Sequence, residues 1–274
     1  MVFFLIITGL SVAVFLAFSL RSHMRRKQFF DAPFPEIWEK ILRKNVPIYS
    51  RLPEDLLPKF HRRIKEFLSE KTFEACGELK TVSDEMAVTI AGTASLLSVN
   101  RSGNAWRALH SVLVYPKAFS SPDEESETDT GLITREHSSR DGESWTYGSV
   151  VFSWQRITRD IALHGNGQNV IIHEFAHQLD SDDGIAGGRP MFTDAVDQLS
   201  WKKISARELE RLREGDSETI IDEYGAENPA DFFATSVEAF FEKPEAMKHA
   251  HPELYAILTR LFRLDPAAWD SHTN

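Results

Sequence analysis

The sequence predicts an α+β fold, rich in helix and built around a small mixed sheet, and three observations predict it. Helical patterns fill most of the first hundred residues, and short β-branched runs bounded by proline or polar residues fill the middle. Downstream, an apolar helical segment from Val170 to Asp180 carries His-Glu-x-x-His. With 274 residues, 42% of them hydrophobic and 26% charged, the chain can bury a sizeable core and is not of the disordered class. Its net charge of -10, with most of the excess acid in the second half, argues against nucleic acid as the main partner. The single cysteine, Cys76, permits neither an intramolecular disulfide nor a cysteine-rich metal site, and reads as a buried small residue.

From Val2 to Leu20 every residue is apolar or small, enough to cross a bilayer as one helix. A cleaved secretory signal would carry its positive charge first, whereas Arg21, Arg25, Arg26 and Lys27 follow the apolar run. The order predicts a transmembrane anchor at 1–22 and a basic juxtamembrane linker at 23–32. The remainder should then lie on the cytoplasmic side of the cell (inner) membrane. One domain is expected over 33–270, with a helical part at about 33–100 and a second part at about 105–270.

Helices are expected around Glu36 to Lys44 and Glu54 to Leu68, punctuated by Pro47, Pro53 and Pro58, with a short strand at Thr72 to Cys76. Ser83 should cap a nearly all-apolar, buried helix over Ala87 to Val99, with Asp84 and Glu85 in its first turn. Ser111 to Tyr115, stopped by Pro116, reads as a strand, and the acidic stretch Ser120 to Thr130 as a surface loop. Further strands are expected at Leu132 to Glu136 and Trp145 to Trp154. Gly148 to Ser153 could present a sheet edge to an extended peptide, or could equally be an internal strand.

On the motif helix, Ile172, Phe175, Ala176 and Leu179 form a core-facing stripe at i, i+3, i+4, i+7. His173 and His177 fall one turn apart on one face, where two imidazole nitrogens can share one zinc ion and Glu174 can act on water. Two ordinary surface or core histidines are the alternative, which the surrounding apolar stripe disfavours. Asp180 to Gly184 fails the spacing of a calcium loop and reads as a solvated turn. Asp180 itself opposes the helix dipole, which is explained by a hydrogen bond to a ligand imidazole or to the following loop.

A zinc centre of this type takes a third protein ligand, and the extended motif His-Glu-x-x-His-x-x-Gly-x-x-His is absent, with Asp180 and Asp183 where Gly and His would stand. The third ligand must come from farther along. The best stretch runs from Ile221 to Phe233 and on to Glu242, with Asn228 as N-cap and Pro229 as the first helical position.

Here the chain resembles the MtfA (Mlc titration factor A) family of zinc peptidases, whose catalytic core is similar to that of anthrax lethal factor. The resemblance rests on His173 to Asp180 and Tyr224 to Ala234, supported by Ser83 to Leu97 and Val112 to Pro116, and leaves the anchor outside. It implies a zincin-like metallopeptidase domain, ligands at His173, His177 and Asp231, a base at Glu174 and a transition-state tyrosine at Tyr224. The family pattern carries Glu where this chain has Asp231. Asp is a competent but shorter ligand, and Glu238, two turns on along the same face, is the reserve. Asp231 also reads as a capping acid of the Asn228 turn, a role that does not exclude ligation. The expected activity is zinc-dependent hydrolysis of peptide or protein substrates with no further cofactor. The alternative is a zinc-containing regulatory protein that sequesters a cytoplasmic partner such as a transcriptional regulator.

Overall fold

The computed structural model describes residues 21, 24–101, 103–117, 148–180, 187–216 and 218–269. Two compact units divide the chain, Met1–Glu36 and Ile37–Asn274. In the first, residues 24–31 are helical. Of the anchor expected over 1–22 only residue 21 is described, and the acidic stretch 120–130, the strand expected at 132–136, residues 145–147 of the strand expected at 145–154 and residues 181–184 of the expected turn lie outside the described residues. No described helix is long and apolar enough to cross a membrane.

The second unit holds all but the first residue of α1 (Glu36–Asn45), followed by α2 (Leu57–Glu70), both amphipathic and close to their expected positions. The short strand β1 (Thr72–Ala75) follows. Helix α3 (Asp84–Ser98) is buried along nearly its whole length, and the Ser83 hydroxyl accepts from the Met86 N–H at 3.3 Å, as its sequence suggests.

β2 (Ser111–Tyr115) lies at the centre of a sheet of order β1-β2-β3, with β3 at Ser149–Ser153. Thr72 pairs with Ser111 and Ser111 with Ser149, and all three described strands are parallel. A mixed sheet was expected. Parallel pairing here follows from connectivity, since α3 provides the crossover that a parallel β1–β2 pair needs. The third strand also ends one residue earlier than expected, because Ser153 caps α4 (Trp154–Ala162) by accepting from the Arg156 N–H at 3.3 Å, which turns Trp154 into helix. Among the described residues β3 is an edge strand.

The motif helix, α5 (Val170–Asp180), buries Ile171, Ile172, Phe175, Ala176 and Leu179. Phe175 is its anchor. Its ring lies 5.6 Å from Phe67 of α2, 4.8 Å from Trp106 and 6.1 Å from Phe152 of β3. One side chain between the two histidines thus joins a helix, a loop and the sheet. Phe175→Ala should destabilise the protein by about 3–5 kcal/mol, read from denaturant unfolding, and a cost under about 1 kcal/mol would contradict this placement.

The chain closes with α6 (Ala195–Arg213), α7 (Pro229–Glu242), α8 (Pro244–Ala250) and α9 (Pro252–Phe262). Buried Glu208 of α6 accepts from Arg207 and Arg211 and pairs with His251 at 2.8 Å, so its charge is met on several sides. Phe240 and Phe241 of α7 pack on Phe262 of α9. The face of α7 opposite these contacts turns to α5, and the functional residues lie along that seam.

Candidate metal centre

Three capping interactions fix the start of α5. The Asn169 side chain accepts from the Ile172 N–H at 3.2 Å. Asp160 of α4 accepts from the Val170 N–H at 2.9 Å, and is itself held by Arg156 at 2.7 Å. Glu238 accepts from the Asn169 backbone N–H, while Glu242 accepts from the Asn169 side-chain amide at 2.9 Å. Carboxylates at a helix N-terminus meet both its orphan N–H groups and its positive dipole end.

Along the seam the pairings run in opposite order. Glu242 reaches Asn169, Glu238 reaches His173, and Asp231 lies nearest His177. Helices α5 and α7 are therefore antiparallel. Asp231 and Glu238, seven residues apart, flank one imidazole from its two sides.

His173 is 4% exposed. Its Nδ1 lies 2.8 Å from Glu238 Oε1, and a carboxylate can only accept, so Nδ1 carries a proton and, in the neutral ring, Nε2 presents a lone pair. That lone pair points toward His177, whose Nε2 is 3.1 Å away. Asp231 Oδ1 completes the triangle, 3.3 Å from His177 Nε2 and 4.0 Å from His173 Nε2. Burial disfavours a protonated His173, but the hydrogen bond to Glu238 and the charges of Glu238, Glu174 and Asp231 outweigh it and raise the ring's pKa to about 9, so at neutral pH Nε2 holds a cation, either a second proton or a metal ion that displaces it. So dense a cluster of acids around two imidazoles is a field that favours a cation.

Asp231 is held by the cap of its own helix. Asn228 Oδ1 accepts from the Ala230 N–H at 2.9 Å and the Asp231 N–H at 3.0 Å, and Asn228 Nδ2 donates to Asp231 Oδ2 at 2.5 Å. One carboxylate oxygen is thus occupied and the other faces the histidines. The cap is made by Asn228, and the Asp231 carboxylate accepts from the Asn228 side chain rather than from a backbone N–H.

His173, His177 and Asp231 form a group whose donor atoms lie within 4.8 Å of one another. Tetrahedral ligands at about 2.0–2.1 Å from zinc stand about 3.3 Å from one another. The observed 3.1, 3.3 and 4.0 Å separations bracket that value, so these residues fit a zinc ion.

Of the two partners expected for Asp180, an imidazole or the following loop, the structure shows the loop, the carboxylate accepting from the N–H groups of Gly187 at 2.7 Å, Gly188 at 2.6 Å and Arg189. The imidazole partner is Glu238, the expected reserve ligand, and its carboxylate sits on the Nδ1 side of His173, away from the Nε2 atoms that converge. A reach of 65 residues between His173 and Glu238 left no local spacing to read. Asn169 is the residue that sequence reasoning passed over. Its signal was present, an Asn directly before an apolar helical run.

Tyr224 lies in a 3-10 turn, Glu223–Ala226, capped by Asp222, which accepts from the Tyr224 N–H at 2.9 Å and from the Gln168 amide at 2.7 Å. Gly225 lets this turn lie against α7, since a Cβ there would stand 2.3 Å from Thr235 Oγ1. The Tyr224 ring centre is 6.0 Å from that of His173. The two residues line a cavity of about 40 Å³ together with Arg156, Asp222 and Glu238. Glu174 is half-buried on the same turn of α5 as His173, and its charge acts on that ring.

A helix bearing two convergent imidazoles, faced by a carboxylate from an antiparallel helix and lying against a small sheet, is an arrangement that can hold a metal ion. The model of the glucose-regulated metallo-peptidase M90 family matches residues 20–263, and the chain belongs to that family. It is 37% identical over 246 residues to the uncharacterized protein slr2042 of Synechocystis sp., covering 88% of this chain and 89% of the relative. It is 30% identical over 249 residues to Mlc titration factor A of Pectobacterium atrosepticum, covering 87% and 91%. With Mlc titration factor A of Escherichia coli the identity is 28% over 243 residues, covering 86% and 89%.

Proposed function

We propose that the protein is a zinc-dependent peptidase in which His173, His177 and Asp231 hold the metal and Glu174 is the general base. The spacing of the three donor atoms is the observation that carries this reading. Zinc would supply Lewis acidity, polarising the scissile carbonyl and making water a nucleophile near neutral pH.

The chain's own residues do the rest. Glu174 takes the proton of the attacking water and returns it to the leaving amine. Tyr224 donates its hydroxyl hydrogen to the oxygen on which negative charge develops. Glu238, by accepting the Nδ1 proton of His173, fixes the tautomer and keeps Nε2 basic, and Asn228 does the equivalent for Asp231 by occupying its second oxygen. The substrate backbone adds to the edge strand β3, whose end leads directly into α4 and the Arg156–Asp160 pair at the head of the motif helix. The uncharged run 2–20 followed by its basic cluster supports holding this activity at the cytoplasmic face of the membrane.

The test is metal removal. The zinc-loaded full chain should cleave members of a peptide library, lose cleavage on treatment with a chelator, and regain it on addition of stoichiometric zinc. No cleavage by zinc-saturated protein would overturn the reading. The name titration factor carried by the relatives favours a second reading, in which the protein acts by binding a regulatory protein. Binding of that kind does not need Glu174.

A further inference from the structure

We infer that Asp180 is a positioning residue for the third metal ligand, acting through Gly188, which abuts the helix end that carries Asp231. The inference rests on the ligand set proposed above. Asp180 is 1% exposed, and its carboxylate is met by three backbone N–H groups of residues 187–189. A hydroxyl or an amide has no second acceptor oxygen with which to hold all three.

What the carboxylate holds matters more than its own satisfaction. Gly188 sits at φ +68°, and a Cβ there would fall 2.1 Å from the carbonyl oxygen of Pro229 and 2.4 Å from its carbonyl carbon. Only glycine adopts this conformation easily and permits this approach. Its carbonyl accepts from Trp201 Nε1 at 2.8 Å, and the Trp201 ring packs edge-on to Phe233 of α7 at 5.4 Å. Three helices therefore grip one glycine: α5 through Asp180, α6 through Trp201, and α7 through direct contact at Pro229.

Pro229 is the first residue of α7 and Asp231 lies two residues on. Asp180 ends the helix that carries His173 and His177. The latch thus links the end of the histidine helix to the start of the aspartate helix, and it sets how far Asp231 Oδ1 stands from the two imidazoles.

The test measures Zn2+ affinity of the full chain by competition with a chelator, and the visible absorption of the Co2+-substituted protein, alongside far-UV circular dichroism. Asp180→Asn places an N–H donor against one of the three N–H groups. It should weaken zinc binding about 10–100-fold and change the Co2+ band intensity while the fold is retained. In an Asp231→Ala background the same substitution should change zinc affinity less than threefold, because the effect runs through Asp231. Unchanged affinity in folded Asp180→Asn, or an undiminished effect in the Asp231→Ala background, overturns the inference. Should Asp180→Asn not fold, the neighbouring glycines decide. A Cβ at Gly187 meets nothing within 4 Å, so Gly188→Ala should weaken zinc at least tenfold more than Gly187→Ala, and equal effects overturn the latch. If Asp231→Ala alone leaves zinc affinity intact, it is the ligand set that fails.

Discussion

Asp231→Ala should leave the purified full chain without stoichiometric zinc and without peptidase activity, while Glu238→Ala should retain a measurable site. Asp231 Oδ1 faces both Nε2 atoms, so its loss removes a donor. Glu238 meets the far nitrogen of His173 and the Asn169 N–H but neither converging Nε2 atom, so its loss frees the ring to turn, an effect of about 10–100-fold in affinity. An acid that merely capped α7 would behave differently, costing about 1 kcal/mol of stability with metal content near normal. Asp231→Glu sharpens the comparison. Oδ1 already lies at ligand spacing and the carboxylate is clamped through Oδ2 by Asn228, so one more methylene should crowd the metal and lower turnover. Zinc content across the three variants decides the matter, and normal zinc in Asp231→Ala with loss in Glu238→Ala would transfer the assignment to Glu238.

Glu174→Gln should separate binding from chemistry. The glutamine keeps the shape of the side chain and touches no proposed ligand atom, so zinc content should match the parent. Hydrolysis should fall by about 10²–10⁴-fold, the usual contribution of a positioned general base. Parent-like turnover in the zinc-loaded variant would end the mechanism. The same protein also discriminates the two readings of function, since capture of a regulatory partner should survive the substitution.

Those expectations were legible in the sequence to different depths. His173, Glu174 and His177 announce themselves because a helix converts a spacing of four into one face, and no tertiary information is needed. Asn228 and Pro229 mark a helix start within a stretch holding several acids, and it is the resemblance to the family, not the spacing, that singles out Asp231 among them. The partners of Glu238 and Asp180 were not legible in the same way. Both are acids near the motif face, and which of them meets an imidazole depends on how α7 lies against α5. A buried carboxylate goes to whatever donors the packing leaves unpaired: three loop amides for Asp180, an imidazole and the Asn169 amide for Glu238. The sheet shows the same limit. Its β2 strand was readable residue for residue, but its parallel pairing is set by the path of the connections, which no local alternation encodes.

The Asn228 cap has a consequence for the chemical ageing of the protein. Asparagine loses its side-chain nitrogen most readily when the next backbone nitrogen attacks the side-chain carbonyl and closes a five-membered imide. Here the next residue is Pro229, whose nitrogen carries no hydrogen and lies within a ring, so that route is closed. The outcome avoided would be a specific one: Asn228 turned to Asp would face Asp231 Oδ2 with a second negative oxygen where it now receives an N–H. The proline that starts the helix therefore also protects the amide that aims the carboxylate, and the site is shielded from a slow, time-dependent form of damage.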